Sequence, residues 1–185
     1  MQEDAVCYVC DLIKNAMRKR LFPGSDDEAT FRMWCADRYT HYPITAEELN
    51  AYYAAYEMSD SFYVMTAFDE TGVVGHMIMR FTDPEKRILH YGFIAIDREK
   101  RGRGYGREML TLATRYAFEL LGADLITLGV YDRNLHARRC YASLGFVDGD
   151  PANNESCRIM GEDWCFSEME LRKSAWHPLS SQGTI

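Results

Sequence analysis

The chain has 185 residues, of which 47% are apolar and 26% charged, with a net charge of −7. That length supports one well-buried domain, and the acidic balance argues against nucleic acid as a partner, because neutralising phosphates takes a basic face. No apolar run approaches the about 20 residues of a membrane span and the N-terminus lacks a basic n-region and cleavage site, so the six cysteines read as reduced thiols of a cytoplasmic protein without membrane contact. Val6, Val9, Cys10, Ile13 and Met17 recur at helical spacing. Cys7 and Cys10 form a C-x-x-C pair on that helix, but no second pair or nearby His completes a zinc set, and no metal is expected. Ser25 or Asp26 caps a second helix carrying Phe31, Trp34 and Cys35. Thr45 and Glu48 form a capping box that opens a third, with Leu49, Tyr52, Tyr53 and Tyr56.

From residue 62 the period changes. "FYVMTAF", "VVGHMIMRF" and "RILHYGFIAI" read as three strands joined by the short turns "DETG" and "TDPEK", hence an antiparallel meander. A helix follows from about Tyr105 to Leu121, with Gly122 as its stop. "DLITLGVY" returns as a strand parallel to the one ending at Ile96. Asn134 caps a shorter helix that Gly145 ends, and "CRIM" and "WCFSEMEL" are the last strands. Residues 173–185 read as a polar, loosely held tail after one α+β domain spanning 1–172.

The stretch "EKRGRGYGREML" stands where a strand hands over to a helix. Gly102, Gly104 and Gly106 let the backbone turn tightly and bring its amides close to a ligand. The first amides of the following helix lack intrahelical acceptors and sit at the positive end of its dipole, which suits phosphate oxygens. Arg101, Arg103 and Arg107 add charge at the rim. A Walker loop would need Gly-Lys-Ser/Thr where Arg107 and Glu108 follow Gly106, and the G-x-G-x-G spacing fails the dinucleotide fingerprint. A nucleotide-binding domain is therefore disfavoured, and a bare basic turn would need only two of the glycines.

Arg101-x-x-Gly104-x-Gly106 resembles the Q/R-x-x-G-x-G/A motif of the GCN5-related N-acetyltransferases (GNAT superfamily). A second block, "NLHARRCYASLGF", is similar to that family's N-x-x-A-x-x-x-Y-x-x-x-G-F signature through Asn134, Ala137, Tyr141, Gly145 and Phe146. The resemblance covers about residues 62 to 171. It implies a mixed, mostly antiparallel sheet with a splayed parallel strand pair and helices on both faces. It further implies an N-acetyltransferase that moves an acetyl group from acetyl-coenzyme A to a primary amine of a small molecule or peptide, as a monomer or homodimer.

On that resemblance the loop Arg101, Gly102, Arg103, Gly104, Tyr105, Gly106 and Arg107 holds the diphosphate. Ile94, Ala95 and Ile96 offer main-chain groups to pantetheine, with Asn134 and Ala137 beside the arm. Tyr141 is placed near the thioester sulfur as general acid; ring packing on the sheet is compatible with that role. His90 stands at the offset where some members carry a basic Glu, and either acts as base or makes an ordinary hydrogen bond. His76 is a weaker candidate, and a water relay is an alternative to both. Gly129 stands where members acting on protein N-termini can carry a Glu, which argues against that activity. It either eases the splay or marks a bulge. Residues 1–60 are the helical acceptor side, with Trp34, Tyr39 and Tyr42 as candidate pocket residues or plain packing. A non-catalytic acyl-coenzyme A sensor or scaffold of the same fold is the competing function.

Overall fold

The computed structural model describes residues 51, 54–56, 59–159 and 162–177. The first two predicted helices, and Trp34, Tyr39 and Tyr42 with them, lie outside the described residues. Of the third helix, Ala51 and Ala54 are helical, and Tyr56 stacks its ring on Phe62 at 4.4 Å.

The described residues build one mixed seven-stranded sheet. The meander comprises β1 (Phe62–Asp69), β2 (Gly72–Asp83) and β3 (Ile88–Ile96). Helix α1 (Tyr105–Glu119) leads to β4 (Leu125–Tyr131), and α2 (Leu135–Ser143) leads to β5 (Val147–Asp148), β6 (Glu155–Ile159) and β7 (Glu162–Arg172). The order is β1-β2-β3-β4-β7-β5, with β6 also on the outer edge of β7. Only β3 and β4 are parallel, as a strand–helix–strand crossover requires. The two-residue β5 is not visible in the sequence, because a ladder that short has no periodicity to read.

Alternation sorts the sheet's two faces. Met77 and Met79, Leu89 and Tyr91, Ile126, Leu128 and Val130, and Met169 and Leu171 join Leu110, Ala117 and Phe118 of α1 and Tyr141 of α2 in one buried core. Both described helices therefore lie on this face. The opposite face carries Ile78, His90, Thr127, Gly129, Phe166 and Glu168 in register.

The tail departs from expectation at its start. Trp176 packs on Phe118, ring centroids 5.3 Å apart, and Lys173 Nζ donates to the Phe118 carbonyl at 2.9 Å. Residues 173–176 are thus held to α1 by an aromatic contact that reading the segment as polar overlooks.

Candidate active site

The parallel ladder is short. β3 and β4 pair from Ile88↔Leu125 to Tyr91↔Leu128 and then stop. Beyond that point β3 continues against β2, with Ala95 opposite His76 and Ile96 opposite Gly75. β4 continues against β7, with Gly129 opposite Glu168 and Tyr131 opposite Phe166. The inner edges of 92–96 and 129–131 therefore face each other across a gap, offering main-chain donors and acceptors to whatever enters.

A bulge causes the divergence. Ile78 pairs with Gly92 and His76 with Ala95, so Phe93 and Ile94 together oppose Met77 alone. Phe93 takes φ +48°, a left-handed conformation that costs a bulky residue strain, with its side chain packed beside Ile78. The bulge falls one residue past the last β3–β4 pair, after Gly92, and turns Ile94–Ile96 away from β4. Gly129 marks no bulge: the β4–β7 register runs unbroken through it. A Cβ at Gly129 would meet Phe166 Cζ at 1.9 Å, so this glycine exists to let that ring lie over the strand.

The glycine loop follows the diverging end of β3. Asp97 caps a short 3-10 turn (Arg98–Lys100) by accepting from Glu99 N–H at 3.1 Å. Arg101 Nε then donates back to the Ile96 carbonyl at 3.0 Å. Gly102 and Gly104 have φ +76° and +88°, and nothing stands within 4 Å of where their Cβ atoms would be. Gly104 caps α1 without a side chain, so its own cap satisfies none of the first amides of the helix. Arg103 and Arg107 are exposed at this rim.

Lys100 and Tyr105, by contrast, are engaged. Lys100 Nζ donates to Asp69 Oδ1 at 2.7 Å and Tyr105 Oη to Asp69 Oδ2 at 3.0 Å. Asp69 also accepts from Thr71 N–H at 2.8 Å, and these bonds, led by the one from Lys100, hold its carboxyl well below the usual range. The β1–β2 turn thus ties down both ends of the glycine loop. Sequence reasoning missed this clamp because its members are 31 and 36 residues apart.

On α2, Asn134 Oδ1 accepts from Ala137 N–H at 3.2 Å, the cap its position predicts. Tyr141 is 6% exposed, and Phe146 bridges its ring to that of Tyr91, the last residue of the parallel ladder, at 6.2 and 6.4 Å. Burial raises the Tyr141 phenol pKa, with Cys140 adding to the effect, so the hydroxyl keeps its proton. His90 shares a hydrogen bond of 2.9 Å between Nδ1 and Thr127 Oγ1, one pair short of the opening. His76 is fully buried, and burial pushes its pKa down to about 3, so it stays neutral and enclosed.

Beside the opening, Tyr131, Trp164 and Phe166 form an aromatic cluster on the face away from the helices, with Tyr131–Phe166 centroids at 5.1 Å. Alternation along β7 sets Trp164, Phe166, Glu168 and Glu170 on one side, a signal that "WCFSEMEL" holds but that says nothing of the gap until the strand is paired with β4. Among the described residues no group of three or more His, Cys, Asp or Glu could hold a metal, and no helix is long and apolar enough to cross a membrane.

The model of the acetyltransferase (GNAT) family matches residues 28–146. An N-acetyltransferase described as SPbeta prophage-derived and uncharacterized, YokL of Bacillus subtilis (strain 168), is 25% identical over 127 residues, 69% of each chain. Among solved structures, the spermidine N-acetyltransferase of Vibrio cholerae in complex with CoA and spermine superposes with a TM-score of 0.66 at 20% identity, covering 83% of this chain and 94% of that one. A dodecameric structure of the same enzyme gives 0.65 at 22% identity, covering 89% of each chain.

Proposed function

This chain belongs to the acetyltransferase (GNAT) family, and we propose on that premise that it acetylates a primary amine of a small molecule or peptide by direct attack in a ternary complex. The chain is an acyltransferase and acetyl-coenzyme A is its acyl donor. One observation carries the reading: the parallel ladder ends at Tyr91↔Leu128, with a glycine loop whose helix start has no side-chain cap following β3 and a buried, protonated Tyr141 joined through Phe146 to Tyr91.

The residues divide the work. The amides of Gly102 to Arg107 take the diphosphate, with Arg103 and Arg107 supplying charge at the rim. Tyr105 and Arg101 keep this loop in shape through Asp69 and the Ile96 carbonyl. Main-chain groups of Ile94, Ala95 and Ile96 receive the pantetheine arm as an added strand, and an amide there polarises the thioester carbonyl. Asn134 and Ala137 border the arm. Tyr141 gives the departing sulfur its proton, a role suited to a phenol kept neutral by burial. His90, tied to Thr127, belongs to the polar row on the amine side. Trp34, Tyr39 and Tyr42 remain proposed acceptor contacts.

The face away from the helices bears aromatic rings and half-buried carboxylates, which favours a cationic alkylamine over a neutral or acidic acceptor. The test is thiol release from acetyl-coenzyme A against a panel of mono-, di- and polyamines and peptide amines. Turnover with at least one amine, reduced by about 100-fold in Tyr141→Phe with donor affinity unchanged, supports the reading. Tight donor binding without thiol release for any amine would mark a sensor instead.

A further inference from the structure

The two strands that part beyond Tyr91↔Leu128 both present a glycine at the next position, Gly92 on β3 and Gly129 on β4. On the sheet face away from α1 and α2, a side chain from the neighbouring strand lies over each one. A Cβ at Gly92 would stand 3.1 and 3.3 Å from Cγ1 and Cδ1 of Ile78, its partner on β2. A Cβ at Gly129 would run into the tip of the Phe166 ring, with Cζ at 1.9 Å, Cε2 at 2.6 Å and Cε1 at 2.8 Å. Neither glycine has the positive φ that would call for one, so each serves the space above it. Both lips of the gap are therefore bare backbone beneath an apolar side chain that reaches across from the next strand.

Each of these side chains is held from behind. Ile78 is 1% exposed and packs with Val64 and Phe93. The Phe166 ring stands edge-on to Tyr131 at 5.1 Å, and Tyr131 in turn meets Trp164 at 5.8 Å. The polar pair of this face, His90 and Thr127, lies one position back, beside the closed part of the ladder. The donor comes from the other face, because the glycine loop leads into α1 and Tyr141 belongs to the core between sheet and helices. An attacking nitrogen must approach the acyl carbon from the side that the donor leaves free. On that side the side chains set against the two lips are Ile78 and Phe166.

We propose that Ile78 and Phe166 frame the portal through which the acceptor nitrogen reaches the thioester, and that Phe166 determines how bulky the carbon bearing that nitrogen can be. This rests on the acetyl-transfer reading above. With ring and alkyl carbons already pressed onto the glycine lips, the portal admits a slender R–CH2–NH2. A second substituent on that carbon has to push the Phe166 ring off Gly129 and out of its contact with Tyr131. The acceptor class that follows is an unbranched alkylamine, including an amine of the lysine side-chain type. A peptide α-amine, whose carbon is branched, is selected against. Phe166 moves no proton and holds no part of the donor; its effect is on which amines arrive.

The experiment compares the unbranched alkylamine that wild type turns over fastest with its α-methyl derivative, two amines of nearly equal basicity. Thiol release gives kcat/KM for both, and the ratio is the readout. Wild type should favour the unbranched amine, and in Phe166→Ala that preference should shrink by about 10-fold or more, the worth of a methyl in a fitted apolar site. Phe166→Leu, which keeps an apolar side chain at the lip, should fall between the two and serves if the alanine variant folds poorly. Coenzyme A affinity, read by calorimetry, should be the same in all three. A merely structural defect would lower both amines together and leave the ratio where it was. Wild-type turnover with a ratio that neither substitution moves overturns the portal and leaves acetyl transfer standing. A wild type that prefers amines branched at that carbon overturns the portal too. A wild type that releases no thiol with any amine overturns the acetyl-transfer reading itself.

Discussion

Gly129 and Phe166 make a pair whose coupling can be worked out in advance. A methyl at Gly129 would stand 1.9 Å from Phe166 Cζ, 2.6 Å from Cε2 and 2.8 Å from Cε1, whereas carbon atoms rest at about 3.5–4.0 Å. The ring must therefore retreat by well over an ångström and give up packing on Tyr131, its neighbour at 5.1 Å. Overpacking of this kind costs about 1–3 kcal/mol, and the ring can swing outward, so Gly129→Ala should cost about 1–2 kcal/mol. In a Phe166→Ala background the clash disappears, and alanine should be better than glycine in a strand by about 0.5–1 kcal/mol. The two substitutions should then couple by about 2 kcal/mol in urea unfolding of the four proteins, with m unchanged. Additivity within about 0.5 kcal/mol would refute the claim that the glycine exists to seat the ring. The displaced ring in Gly129→Ala should also raise the KM for amine without altering donor affinity.

Gly104→Ala meets no side chain, so its cost is backbone alone: about 1 kcal/mol in unfolding, and about fivefold weaker coenzyme A binding by calorimetry if a comparable penalty falls on the bound loop. Asp69→Asn removes the charge that holds Lys100 and Tyr105; coenzyme A affinity should fall while kcat at saturating donor stays near wild type. Because that carboxyl titrates below the ordinary range, its hold should persist well into acid and fail only as pH drops through the depressed value. His76 is neutral in the fold down to about pH 3 but protonates near 6.5 when unfolded, so its contribution is full above 6.5 and lost as pH falls. Over that window it should add about 1.4 kcal/mol per pH unit to the slope of stability, and His76→Gln should flatten the slope by one proton.

Much of this was legible along the chain. Strand alternation, the capping Asn134 and the glycine-marked helix starts and stops are local signals, and the elements from Phe62 to Arg172 other than the two-residue β5 follow them. Features that depend on pairing were not. The bulge at Phe93 and Ile94 has no sequence mark, since a phenylalanine at positive φ is imposed by the sheet around it. Gly129 read equally well as a hinge or a bulge until the ring from β7 was seen above it. Trp176, isolated in a polar stretch, gave no periodic cue to its seat on Phe118.

The central claim is that a thioester-bearing cofactor enters between the diverging strands with its diphosphate on the loop. Hydrogen–deuterium exchange with and without coenzyme A tests it most directly. Slowed exchange concentrated in 92–96, 102–107 and 129–131 is the predicted result. Saturating coenzyme A that leaves these segments unchanged, or protects a different part of the fold, would contradict the account.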